Sequence, residues 1–215
     1  MAINNYLDLV VSKKEFPSRL SPHQLVVKFA NDLQKNSTIL DLGSREGNNS
    51  LYLAKRGFKV TAVDFSNKSI QKTKQRAEQN NIDLKTINSK IKSFLEYHNY
   101  FDAIICINSL QFLNQKELKE TLDLMKSRTQ QKGFNVISSF VAQNEGMKQK
   151  AKWNGIYLFD EGELKKLYQD WNIIFHEEKL GCWESHGGTP HKHYIVNLIA
   201  QKKSVKQDDS KELFE

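Results

Sequence analysis

Two cysteines, three prolines and ten glycines in 215 residues leave little material for several protein classes. Cys106 and Cys182 stand alone and far apart, which gives neither a disulfide framework nor a metal-ligand spacing, so no metal is expected. The apolar runs are each about one strand long, against the ~20 residues of a membrane helix, and we expect no membrane partner. The opening "MAINNYLDLVVSKKEF" lacks a basic start, an apolar centre and a small-residue cleavage site, so no signal peptide is expected and the cytoplasm is the simplest location. With Pro17, Pro22 and Pro190 as the only prolines, the Asn-Pro-Pro-aromatic signature of amino-methylating DNA enzymes is excluded.

What is present describes an ordinary globular chain, 39% hydrophobic and 27% charged. The length suits one domain with a sizeable core, expected over 1–203, with an N-terminal helical segment over about 1–36 and a polar tail over 204–215. The net charge of +7 comes mostly from scattered lysines ("SKK", "QKTKQR", "NQKELK") rather than from one stripe. A solvated basic surface is the plainer reading, and nucleic-acid binding the lesser one.

Along the chain, apolar periods of two and of 3.6 alternate. "LSPHQLVVKFANDLQ" predicts an opening helix with Ser21 as N-cap, Pro22 at the first helical position and Leu25, Val26, Phe29 and Leu33 as its apolar stripe. "STILDLG", "FKVTAVD", "DLKTIN", the apolar run "FDAIICINSL" and "FNVISSF" read as strands. Between them "NNSLYLAKRG", "SIQKTKQRAEQNN" and "QKELKETLDLMKSRTQQKG" read as helices, the last ending near Gly133. Such alternation implies an α/β doubly wound, mostly parallel sheet. "VAQNEGMKQKAKWNGIY" is expected to be an irregular lid or substrate loop. "DEGELKKLYQDW" follows as a helix, then "NIIFHEEKLG" and "HYIVNLIAQKK" as strands, the C-terminal pair antiparallel to the rest.

The richest stretch is "ILDLGSREGNNSLYLAKRGFKVTAVD", a strand, a turn, a helix and a second strand ending in Asp64. A nucleotide cofactor approaches the carboxyl ends of such strands, where backbone must come close. A dinucleotide fingerprint would need glycine at 43, 45 and 48; the chain has Gly43, Arg45 and Asn48, which disfavours it. The methyltransferases that use S-adenosylmethionine show acid-x-Gly-x-Gly-x-Gly, and Asp41, Gly43 and Gly47 match, as does the Gly-x-x-x-Gly of the catechol O-methyltransferase type. Asp64 lies about 20 residues on, where a carboxylate accepts both ribose hydroxyls; the blander alternative is a cap on the following helix.

"NNSLYLAKRGFKVTAVD", "FDAIICINSLQFL", "FNVISS", "EGELKKLYQDW" and "NLIAQKK" together resemble the tellurite-resistance (TehB-like) methyltransferases of the class I superfamily, over about residues 18–203. The resemblance implies a Rossmann-like sheet of seven strands with an antiparallel C-terminal strand, and S-adenosylmethionine as cofactor. It implies that Asp41, Gly43, Ser44 and Gly47 surround the methionine part of the cofactor and Asp64 and Phe65 the ribose, with Ser89, Lys90, Asn108 and Ser109 bordering the adenine and the methionine. Two positions depart from the family pattern: Arg45 stands for a glycine, and Lys90 falls near a usual Asp. If the turn still cradles a cofactor, Arg45 should point to solvent or to an acid such as Glu46 or Glu15.

"HGGTPHKH" gathers His186, His191 and His193. Its glycines and proline suggest a turn between the last strands; an acceptor site is the main competing reading, to which the resemblance tilts, and a metal site the least of the three. Arg19 is a further candidate for holding an anionic acceptor. Methyl transfer from a sulfonium needs positioning and exclusion of water, with a general base only for hydroxyl or amine acceptors. The sequence therefore points to a methyltransferase for a small acceptor such as tellurite, selenite or a thiol. The alternatives are a non-catalytic binding protein on the same scaffold, which Arg45 and Lys90 motivate, and a nucleic-acid methyltransferase.

Overall fold

A computed structural model of the protein describes residues 21–97, 100–153, 155–184 and 191–204. Helix α1 (Gln24–Phe29) leads into β1 (Thr38–Leu42), α2 (Asn48–Lys55), β2 (Lys59–Asp64), α3 (Asn67–Gln79) and β3 (Lys85–Asn88). Then come α4 (Ile91–Tyr97), β4 (Phe101–Ile107), a 3-10 turn (Leu110–Phe112), α5 (Gln115–Ser127) and β5 (Thr129–Phe140). The C-terminal part holds α6 (Glu145–Trp153), α7 (Glu163–Leu167), β6 (Asn172–Glu184) and β7 (His191–Gln201).

The strands form one seven-stranded sheet in the order β3-β2-β1-β4-β5-β7-β6. The first five pair in parallel, and β7 runs antiparallel to both of its neighbours, β5 and β6. The central strands are apolar because both faces are covered. Ile39, Ala103 and Ile105 face α1 and α2, whereas Leu40, Leu42, Ile104 and Cys106 face α4, α5 and α7. From β1 the chain winds outwards to β3 and then returns to β4 on the other side of β1. The strand order therefore reverses between β1 and β4, and in open sheets of this kind ligands bind beyond the carboxyl ends of the strands at such a reversal.

Several boundaries differ from the sequence reading. The first helix is capped not by Ser21 but by His23, whose Nδ1 accepts from the Leu25 amide, so Pro22 lies outside the helix. Helix α5 stops at Ser127 rather than near Gly133, and β5 begins at Thr129, whose hydroxyl donates back to the Met125 carbonyl. Gly133 ends no helix. It sits in a bulge of β5, where an added Cβ would lie 2.7 Å from the Asp102 carbonyl oxygen. The segment expected to be an irregular lid carries α6, and α4 was not foreseen. No helix among the described residues is long and apolar enough to cross a membrane.

Candidate functional site

The turn after β1 is drawn onto the end of β2: the Gly43 and Ser44 amides both donate to the Val63 carbonyl, at 2.8 and 3.0 Å. Gly43 is left-handed (φ +69°), and a Cβ there would lie 2.2 Å from Ser109 Oγ, so only glycine fits against β4's end. Gly47 opens α2 at φ +78°, and its Cβ would lie 2.4 Å from Thr73 Cγ2. That glycine is required by the packing of α2 on α3, a reason the motif alone does not reveal. Arg45 is itself left-handed (φ +49°), a conformation that glycine adopts freely, and is exposed. Its carbonyl accepts from Thr73 Oγ1 at 3.0 Å. Glu46 pairs with Lys72, and its carbonyl accepts from Arg76, which also donates to Asn48 Oδ1 at 2.9 Å. Glu15, the other acid considered for Arg45, lies outside the described residues. The turn is thus clasped from outside by α3.

Two carboxyls close the inner side. Asp41 is 1% exposed and accepts a short hydrogen bond from Ser50 Oγ on α2. Burial pushes its carboxyl from 3.8 up to about 7; the Ser50 hydrogen bond opposes the rise and the Asp64 charge adds to it. Asp64, 5% exposed, accepts from the Arg45 amide through Oδ2 and from the Ser66 amide through Oδ1, each at 2.8 Å. It is not the cap of α3, because Ser66 Oγ takes that role by accepting from Ser69 N. Each Asp64 oxygen retains a second lone pair. Phe65 beside it is 76% exposed.

The Ser89 amide donates to the Asp64 carbonyl at 3.0 Å, and the exposed Lys90 leads into α4. Asn108 has φ +51°, donates its amide to the Ser138 carbonyl at 2.8 Å, and buries Oδ1 without a partner. Ser109 Oγ faces the Gly43 and Ile107 carbonyls. Asp41, Gly43, Ser44, Asp64, Asn108 and Ser109 therefore meet at one edge, with Phe65, Ser89 and Lys90 at its β2–β3 end.

The acceptor candidates fare differently. Arg19 and His186 lie outside the described residues, and of His191 only the backbone, at the start of β7, is described. The His193 ring stacks on Phe140, with centroids 4.1 Å apart. Ser138 and Asn197, paired across β5 and β7 beside Asn108, were not singled out in the sequence. The polar pair "SS" inside an apolar strand was the available signal. A cleft of about 570 Å³ lies on the far side of the 3-10 turn, lined by Leu113, Glu145, Lys148, Tyr157 and Glu163 rather than by the glycine turn. Cys106 is buried, and burial pushes its thiol up, so it is no nucleophile.

A family model described as tellurite resistance protein TehB matches residues 13–189. A probable S-adenosyl-L-methionine-dependent methyltransferase TehB of Haemophilus influenzae is 30% identical over 169 residues, covering 77% of this chain and 57% of that protein. The crystal structure of TehB from Haemophilus influenzae superposes with a TM-score of 0.73 at 26% identity, covering 84% of this chain and 62% of that one. The chain thus spans little more than half the length of these relatives. A magnesium protoporphyrin IX methyltransferase from Synechocystis with bound SAM shares the fold, with a TM-score of 0.62, 16% identity and coverage of 83% of this chain and 76% of that one. By the extent of the family match and its likeness to the Haemophilus protein, this chain belongs to the TehB family.

Proposed function

We propose that this chain is an S-adenosylmethionine-dependent methyltransferase acting on a small acceptor. The observation that carries the reading is a tight turn at the sheet's switch point with two buried carboxyls, Asp41 and Asp64, beside it. The donor set fits a cationic nucleoside. Two acidic groups suit a ligand with a sulfonium and an ammonium, and Ser44 Oγ and Asn108 Oδ1 are buried there without partners. The Haemophilus relative, named as a probable S-adenosyl-L-methionine-dependent methyltransferase, supports the same reading.

Bound S-adenosylmethionine would supply a methyl group on positively charged sulfur. Asp64 would accept from the ribose hydroxyls through its remaining lone pairs, while its bonds to the Arg45 and Ser66 amides hold the carboxylate still. Asp41, once ionised, would provide the negative field that a cation needs in a dry site. Phe65 would cover the nucleoside, with Ser89 and Lys90 at its rim. A non-catalytic scaffold is not favoured, because Arg45 preserves the left-handed turn and is exposed to solvent. Calorimetry with S-adenosylmethionine and S-adenosylhomocysteine tests the reading: both are expected to bind, and absence of heat with either at millimolar ligand would overturn it.

A further inference from the structure

The buried polar side chains of β5 divide sharply by face. On the α5 side, Asn135 donates to Thr129 Oγ1 and accepts from Tyr168 OH, both at 2.7 Å. On that side also, Ser139 Oγ donates to Gln111 Oε1 at 3.3 Å. On this side of β5 the buried polar side chains Thr129, Asn135 and Ser139 all have partners. Ser138 points to the opposite face, is 0% exposed, and its Oγ has no partner. Directly across the β5–β7 ladder stands Asn197, 5% exposed, with Oδ1 likewise unpartnered. On the other flank Asn108, tied to Ser138 by its amide, buries a third unpartnered oxygen.

Leaving such groups unsatisfied costs the full loss of their hydration, so a contiguous row of them in an apolar wall is an unusual thing to keep. The wall itself is Ile107, Val136 and Ile199. The row continues the cofactor edge: Ser109 touches the Gly43 turn, Asn108 follows β4, Ser138 lies on β5 and Asn197 on β7.

We propose that Ser138 and Asn197, with Asn108, form the floor of the methyl-acceptor subsite, and that this floor takes an uncharged hydroxyl or thiol compound rather than an oxyanion. This rests on the methyltransferase reading. The argument is one of charge. A buried anion needs a paired cation, whereas an uncharged polar group needs only hydrogen bonds. All three floor residues are uncharged amides or a hydroxyl. The next residue outwards on the same face, paired with Asn197, is Glu177, which is itself acidic and held by Lys179 at 2.7 Å. In the transfer, a lone pair of the acceptor's oxygen or sulfur forms the bond to the methyl carbon. The carbon–sulfonium bond breaks with its electrons passing to sulfur, and the acceptor's proton leaves to water.

The test compares the parent with Ser138→Ala and Asn197→Leu, using catechol, dithiothreitol and potassium tellurite as acceptor probes. Release of S-adenosylhomocysteine reports transfer, and calorimetry reports its binding. The parent is expected to methylate an uncharged probe in preference to tellurite. Each variant should lose about tenfold or more in transfer, the scale of one buried hydrogen bond, while S-adenosylhomocysteine affinity stays within a few-fold. Thermal midpoints of the variants should hold or rise, since an unpartnered oxygen is removed. The subsite is overturned if a parent that binds S-adenosylhomocysteine methylates tellurite as well as the uncharged probes, or methylates neither uncharged probe. It is equally overturned if both variants transfer as the parent does. A parent that binds no S-adenosylhomocysteine would overturn the methyltransferase reading and the subsite together.

Discussion

At the scale of single residues, the glycine turn separates two demands that a motif merges. Gly43 is fixed by both its positive φ and the nearness of Ser109, so Gly43→Ala should cost about 1–3 kcal/mol, read as a lowered thermal midpoint. Arg45 carries the same left-handed strain without the crowding. Arg45→Gly should therefore leave stability unchanged or raise it, with S-adenosylhomocysteine affinity within a few-fold. If that variant abolishes binding, the arginine itself contacts the ligand, and an anionic ligand becomes the better occupant. Asp64→Ala should weaken binding of S-adenosylhomocysteine by about 1.5–3 kcal/mol, the scale of hydrogen bonds to a charged group. Part of that loss will come through the turn, because the Arg45 amide loses its acceptor. Binding equal to the parent would mean that Asp64 only tethers the loop.

At the scale of elements, the sequence shows its strands better than its joints. The runs "ILDL", "AIICI" and "YIVNLIA" announce buried strands because both faces of the sheet are covered, and β1, β4 and β7 stand where these runs stand. Gly133 misled because a glycine after a helical pattern reads as a stop, whereas here it permits β5 to approach the Asp102 carbonyl. No local pattern encodes that approach; it depends on Asp102, 31 residues earlier. Gly47 is similar, since its requirement comes from Thr73 on α3. Asp41, Gly43 and Asp64 were legible as neighbours in the candidate site because the turn that joins them is local. Ser138 and Asn197 were not, because their juxtaposition is a product of the β5–β7 register. Cross-element ties of this kind can be tested singly. Tyr168→Phe keeps the ring in place and leaves Asn135 Oδ1 buried without its donor. It should cost about 1–3 kcal/mol in denaturant unfolding at an unchanged slope, and a loss near zero would mean that water replaces the hydroxyl.

At the scale of the whole molecule, the buried Asp41 ties global stability to pH. Its carboxyl ordinarily releases its proton near 3.8, but in the folded chain burial first, and then the Asp64 charge, hold the proton up to about pH 7 against the Ser50 hydrogen bond. Between those two values the folded state binds more protons than the unfolded one, so this group's contribution falls as pH rises. It is fully present below about pH 4 and lost by about pH 7, opposite to the usual trend of ion-paired carboxylates. A cation in the cradle favours the ionised form. Binding of S-adenosylmethionine should therefore release a proton below pH 7 and tighten as pH rises towards it. Asp41→Asn separates the two effects. It should gain stability over the parent at pH 8, lose that advantage by pH 5, and bind S-adenosylmethionine more weakly with a flattened pH dependence. Thermal midpoints and calorimetry on both proteins at the two pH values give the difference directly, and other titrating groups cancel between them. Parallel stability curves would mean that Asp41 is already ionised in the free protein, with Ser50 and the α2 start solvating it, and its role in holding the cation would then have to be sought in fixed charge alone.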